Sequence, residues 1–246
     1  MPKIVLISGR KQSGKDTTAD FLIESLGKQN IPCSRHFFAD PLKDYCHKVL
    51  GLTYEQCYGT DSDKNTATKI RWTDLPFREE KIVELYINCR HPDRKGQLQE
   101  WSFLNMVFLA LKEQEVCLTG REVLQIFGSN ICRRMNKQCF SNATLQRILA
   151  SQFSDEVHVI TDARFPDELE VFAPYNPIVV RLGRRINMAN EHESESALDG
   201  YDWQKFPKVV HIDNQNMSME EKNRILTEQV CSLLMPVESP ILQTST

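Results

Sequence analysis

The sequence predicts an α/β fold, a parallel sheet with helices on both faces, and three observations carry that prediction. The apolar run Lys3 to Ser8 leads straight into a glycine loop and then into Ala19, Leu22, Ile23 and Leu26 at helical spacing. Val157 to Thr161 and Ile178 to Leu182 are short continuous apolar runs separated by a helical stretch from Pro166 to Phe172, the pattern of buried parallel strands. The third observation is length: 246 residues, 41% hydrophobic and 26% charged, suffice for one sizeable core plus an inserted region.

Each element follows in chain order. Lys3 to Ser8 is β-branched and apolar, so it reads as the first strand rather than as a cleavable leader, which would carry a charged n-region. Arg35 to Phe38 reads as a second strand. Asp40 before Pro41 is an N-cap followed by proline at the first helical position, opening a helix to about Leu50. From Thr53 to Gly120 the pattern loosens, and only Trp101 to Leu111 is strongly apolar, so this stretch is assigned as an insertion. Thr119 and Glu122 have capping-box spacing, followed by Val123, Leu124, Phe127 and Ile131 on one helical face. Val209 to Ile212 reads as the last strand. Ser218 and Glu221 form another capping box, and Leu226, Val230, Leu233 and Leu234 give the closing helix its buried stripe. The organisation is one domain over 1–235, with an acceptor-binding insertion at about 53–120, a lid at about 183–200 and a flexible tail at 236–246.

Charge and cysteine usage exclude several classes. Lys+Arg 30 against Asp+Glu 33 gives a formal net charge of -3 without blocks of like charge, so nothing asks for a nucleic-acid or membrane partner. No apolar run approaches the roughly 20 residues needed to cross a bilayer. The eight cysteines are scattered without metal or redox spacing, which points to a reduced, cytoplasmic chain. Cys89 with His91 is half a metal site with no matching half.

The segment Gly9-Arg10-Lys11-Gln12-Ser13-Gly14-Lys15-Asp16-Thr17 has the glycines and lysine of a Walker A loop, set between a strand and a helix. In such a loop Gly9, Ser13 and Gly14 let successive backbone N–H groups face phosphate oxygens, the helix N-terminus adds a positive dipole end, and Lys15 reaches the β and γ phosphates. The loop is therefore assigned to ATP. Asp16 stands where the pattern wants Ser or Thr, and the hydroxyl comes one place later at Thr17. Asp16 and Thr17 are the candidate Mg2+ ligands, since hard cations take oxygen donors. The alternative is a glycine-rich turn that merely caps a helix.

Ser8 to Asp20, SGRKQSGKDTTAD, resembles the loop of the bacteriophage-type deoxynucleoside monophosphate kinases, including their unusual Lys-Asp-Thr. Similar stretches are Ala39 to Asp44, Gly59-Thr60-Asp61 with Lys64 and Asn65, and Arg121 to Gly128. Thr161 to Glu168 and His192-Glu193-Ser194-Glu195 extend the likeness over most of the chain, though 77–116 adds little. The resemblance implies a P-loop kinase fold with an inserted helical acceptor-binding region, and transfer of phosphate from ATP, with Mg2+, to a deoxynucleoside monophosphate. The implied partners are small-molecule nucleotides. A homodimer is left open, and for a viral chain the compartment would be the host cytoplasm.

Phosphoryl transfer is mainly positioning and charge stabilisation, so cations are needed at both phosphates. The resemblance implies that Lys11 contacts the acceptor phosphate, against a solvated loop lysine, and that Lys64 and Gly128 belong to the acceptor site. Arg121 starts a capped helix, where a cation opposes the macrodipole unless an anion lies nearby. Gln125, four residues on, shares its face and can read a base edge; its alternative is an exposed helix glutamine. Asp162 and Arg164 follow a predicted strand, where ligands gather in open α/β sheets. Asp162 would serve the Mg2+ shell or the acceptor, and Arg164 would bind phosphate or pair with Glu168. Arg181, Arg184 and Arg185 end another strand and can supply a lid cation, with Arg184 the assigned one. His192 and Glu195 belong to that lid. Phe140 either stacks on the acceptor base or fills the core. Two rival functions stand: a P-loop kinase for another phosphorylated acceptor such as phosphomevalonate, and a regulatory protein that binds nucleotide without chemistry.

Overall fold

A computed structural model describes residues 1–94, 101–153, 155–184 and 197–234. The chain divides into two compact units, 1–40 with 138–246, and 41–137. The expectations for Arg185, His192, Glu195, most of the lid and the tail lie outside the described residues.

The first unit is built on five parallel strands: β1 (Lys3–Gly9), β2 (Cys33–His36), β5 (Val157–Ala163), β6 (Ile178–Leu182) and β7 (Val209–Ile212). Their order is β2-β5-β1-β6-β7, with β1 paired to both β5 and β6. Side chains alternate across a strand. Val5 and Ile7 therefore enter one apolar layer with Leu22 and Leu26 of α1 (Lys15–Gly27) and with Leu226, Val230 and Leu234 of the closing helix. Ile4 and Leu6 enter the opposite layer with Leu145 and Ile148 of α9 (Cys139–Leu149) and Leu169 of α10 (Pro166–Glu170). Helices thus cover both faces, as a sheet buried on both sides requires. The chain leaves β1 toward β2 on one side and β6 toward β7 on the other, so the β1/β6 boundary is a topological switch point, where ligands bind at the carboxyl ends of strands.

Expected and observed bounds agree for β6 and β7. Strand β2 ends earlier than the Arg35 to Phe38 expected, because the N–H groups of Phe38 and Ala39 turn away from the ladder to Asp162. The closing helix opens at α11 (Met219–Ile225), where Ser218 accepts from the Glu221 N–H and Glu221 accepts from the Ser218 N–H.

The second unit begins within α2 (Asp40–Lys48) and continues through α3 (Tyr54–Tyr58), α4 (Asp61–Lys64), β3 (Ala67–Arg71), α5 (Glu79–Arg90), α6 (Trp101–Glu113), β4 (Cys117–Thr119) and α7 (Gly120–Gln125). Helix α7 runs on through a π turn, Ile126–Cys132, into α8 (Arg133–Met135). The core gathers around the fully buried Trp72, with Ile82, Leu85, Leu118, Val123 and Ile126. The expected helical insertion also carries two strands, β3 and β4, which pair antiparallel. Helix α5, with Ile82, Val83, Leu85 and Ile87 buried, is a second apolar helix that the sequence reading did not single out. Among the described residues no helix is long and apolar enough to cross a membrane.

Candidate active site

The loop between β1 and α1 holds its shape through backbone that side chains resist. Gly14 has φ +92, in the left-handed region that glycine tolerates. At Gly9 a Cβ would stand 2.5 Å from Ser13 Oγ and 3.2 Å from the Leu182 carbonyl oxygen, so glycine lets β1 pass close to β6 there. Ser13 N–H donates to the Arg10 carbonyl at 3.1 Å, and the Gly14 carbonyl accepts from the Thr17 and Thr18 hydroxyls at 2.9 and 2.8 Å. Gly9, Ser13, Gly14, Lys15, Asp16 and Thr17 thus form one continuous cradle at the N-terminus of α1.

Lys15 is buried, and its Nζ donates to the Gly9 and Arg10 carbonyls, both at 2.7 Å. Both carbonyls belong to the loop itself. Lys11 lies exposed on the same loop. Asp16 and Asp20 face outward from α1, and Arg35 of β2 bridges them, with Nη1 at 2.7 Å from Asp20. Ser13 Oγ is buried and has no hydrogen-bond partner among the described residues. Such an orphan suits an incoming phosphate oxygen. Asp16 and Thr17, both exposed, offer the hard oxygen atoms a magnesium ion takes, and such an ion is ordinarily held by one or two protein ligands together with substrate phosphates. Among the described residues no group of three or more His, Cys, Asp or Glu forms an all-protein metal site.

At the carboxyl end of the sheet a cavity of about 250 Å3 opens beside the loop, lined by Gly9, Arg10, Arg164, Arg181, His211 and Asp213 among others. Arg10 pairs with Asp199. The Arg181 guanidinium lies 4.9 Å over the Trp203 ring. Burial, and then the Arg181 charge, push the His211 imidazole below its ordinary value. Arg164 reaches the cavity from the turn after β5, which Glu168 fixes by accepting the N–H groups of Arg164 and Phe165 at 2.9 and 3.1 Å. Arg184 is exposed, and its backbone N–H donates to Asn214 Oδ1 at 2.9 Å.

Asp162 lies within β5 rather than after it. Its carboxylate accepts the Phe38 N–H at 2.9 Å and the Ala39 N–H at 3.4 Å, and burial pushes its pKa up to about 6, with the charges of Glu168 and Asp40 adding to the rise. It fixes the exit of β2. Phe140 is half-buried and packs against the apolar layer of Leu6 and Leu145.

The second unit gathers its own candidates. Thr119 caps α7 and exchanges hydrogen bonds with Glu122, the expected box. Arg121 donates from Nη2 to Asp61 at 2.7 Å and from Nε to Asn65 at 3.0 Å, so residues nearly sixty positions apart meet beside Lys64. The carboxylate that a cation needs at a helix start is Asp61. Gln125 is exposed on α7 and Gly128 is buried in the π turn that follows.

Sequence reasoning missed Arg35, Asn214 and Lys222. Asn214, buried after β7, donates from Nδ2 to the Ser13 carbonyl at 2.9 Å while accepting from Arg184. Lys222 of α11 is 2% exposed, and its Nζ lies 3.5 Å from Thr17 Oγ1. No local pattern marks either residue, because both act on a loop some two hundred positions away.

A family model described as deoxynucleotide monophosphate kinase matches residues 3–222. Among curated proteins, a deoxynucleoside-5'-monophosphate kinase of Escherichia phage T5 is 26% identical over 222 residues, 80% of this chain and 86% of the relative. A deoxynucleotide monophosphate kinase of Enterobacteria phage T4 is 22% identical over 221 residues, 80% of this chain and 88% of that protein.

Proposed function

The chain belongs to the deoxynucleotide monophosphate kinase family, and from that premise we propose how its residues divide the work. The reaction is ATP-dependent phosphorylation of a deoxynucleoside monophosphate to the diphosphate. The observation that carries this reading is the loop at the head of α1, with Gly14 in its left-handed conformation and Lys15 drawn in by two carbonyls, inside a chain that matches the family over residues 3–222.

An oxygen of the acceptor phosphate attacks the γ phosphorus of ATP, the bond from that phosphorus to the β–γ bridging oxygen breaks, and ADP leaves with the electron pair. Lys15 exchanges its two carbonyl acceptors for β and γ phosphate oxygens, and its charge counts most while the phosphoryl group is in flight. The N–H groups from Ser13 to Thr17 hold the donor chain, and the orphaned Ser13 Oγ gains a partner. Arg164 and Arg184, at the ends of β5 and β6, supply cations to the transferring group, and Lys11 reaches the acceptor phosphate. Asp162 orients this region through the β2 exit. Asp16 and Thr17 would hold Mg2+, which supplies charge neutralisation between the phosphates when bound. Arg121, Lys64, Gln125 and Gly128 bind the acceptor nucleotide.

The test is a panel. Purified protein with ATP and Mg2+ should convert at least one of the common deoxynucleoside monophosphates to its diphosphate, read as ADP production and product mass. Turnover of phosphomevalonate alone would overturn the substrate class, and ATP binding without turnover of any acceptor would favour a regulatory protein.

A further inference from the structure

Lys222 is 2% exposed. Three N–H bonds leave its amine, and among the described residues they meet a single hydrogen-bond acceptor, Thr17 Oγ1 at 3.5 Å, and no carboxylate. Two further features make the position unfavourable for a cation. A buried ammonium loses its hydration without compensation, and the N-terminus of α1 presents the positive end of a 13-residue helix. A methionine would fill the same space at neither cost. The side chain nevertheless runs from α11 to the point where the loop enters α1. Its Nζ would be 3.9 Å from a Cβ placed on Gly14, and Asn214 Nδ2 would be 4.0 Å from the same point. Thr17, which stands over the amine, is itself exposed.

We propose that Lys222 is a donor-site cation, a second lysine of the phosphate loop supplied from the far end of the chain, whose ammonium faces the α and β phosphates of the bound nucleotide. The proposal rests on the donor reading of the loop given above. In such loops the backbone N–H groups cradle the α and β phosphates while the loop lysine reaches the β and γ phosphates. Lys15, held by Gly9 and Arg10, serves the γ side. Lys222, beside Gly14 and Thr17, stands at the other end of the cradle. The anion then answers both the buried charge and the helix dipole, and the empty protein bears the unfavourable arrangement in its absence.

The division between the two lysines sets the experiment. In Lys222→Met, affinity for both ATP and ADP, measured by calorimetry, should fall about tenfold or more. KM for the monophosphate should stay within about twofold. The melting midpoint of the nucleotide-free protein should hold or rise, while the upward shift given by ATP shrinks. Lys222→Gln serves as a second neutral variant. Unchanged ATP and ADP affinity in a folded variant would overturn the proposal. So would a lower melting midpoint, or failure of both variants to fold, since either would make Lys222 a structural residue of the empty protein. A wild-type protein that binds ATP in a Lys222-dependent way but phosphorylates no deoxynucleotide would sink the proposed function and leave this inference standing.

Discussion

The lysines around the glycine loop of the first unit and Arg121 of the second are held in opposite ways. In the first, Lys15 and Lys222 are buried, with Lys15 Nζ donating to two carbonyls and Lys222 Nζ 3.5 Å from one hydroxyl. In the second, Arg121 is 39% exposed in its side chain and already paired with Asp61, which is 89% exposed. A buried cation held by neutral oxygens gains strongly from an arriving phosphate, whereas an exposed one must first give up a solvated partner. The first unit is therefore the place where charge removal should hurt most, and the second the place where it should be graded.

The largest expected effect tests the buried side of that contrast. Lys15→Met should lower kcat by at least ~100- to 1000-fold, the scale of losing one preorganised donor to a transition state, with the fold retained. A turnover loss no larger than that of Arg121→Ala would erase the distinction between the units.

Next comes a pH effect confined to the first unit. Burial raises Asp162 from 3.8 to about 6. Between those values the folded state keeps a proton that the unfolded state has released. Its contribution to stability is thus most favourable below about pH 4, declines as pH rises to about 6, and is level above, a change on the order of 3 kcal/mol. Urea titrations of wild type and Asp162→Asn should show their difference drifting by that order over this window. A constant difference would mean that the carboxyl titrates alike in both states.

The smallest effect belongs to the exposed pair. Arg121→Ala should lower kcat/KM for the monophosphate by about 1.5 to 3 kcal/mol, with ATP affinity nearly intact. Because exposed ion pairs contribute ~0 to 1 kcal/mol, thermal stability should scarcely move. If ATP binding weakened as much as in Lys15→Met, the acceptor assignment would fail.

The same contrast governs what could be read from the chain. Sheet, loop and capping boxes were legible because each is written in consecutive residues: the apolar runs of β5, β6 and β7, the loop from Gly9 to Thr17, and Thr119 with Glu122. Strand β3 was not, since Ala67 to Arg71 contains one large apolar residue, Ile70, and owes its conformation to β4 across the unit. The sequence called only for an anion near Arg121, and the pairing with Asp61 comes from the fold. Lys222 was illegible because a lysine four residues past an N-cap normally belongs to a solvated face, and the first turns of α11 give no sign that this one is covered.

Asn214 joins two parts of the first unit with one planar group, giving a hydrogen bond to the Ser13 carbonyl and taking one from the Arg184 N–H. An amide alone among short side chains can do both at once: a carboxylate lacks the donor, an alcohol lacks the span, and an aliphatic chain lacks both. The glycine loop and the segment that leaves β6 are thereby referred to a common origin, in the way two gauges are zeroed against one mark. A shift of either is passed to the other through that amide, so the placement of Arg184 relative to the loop leans on one uncharged residue.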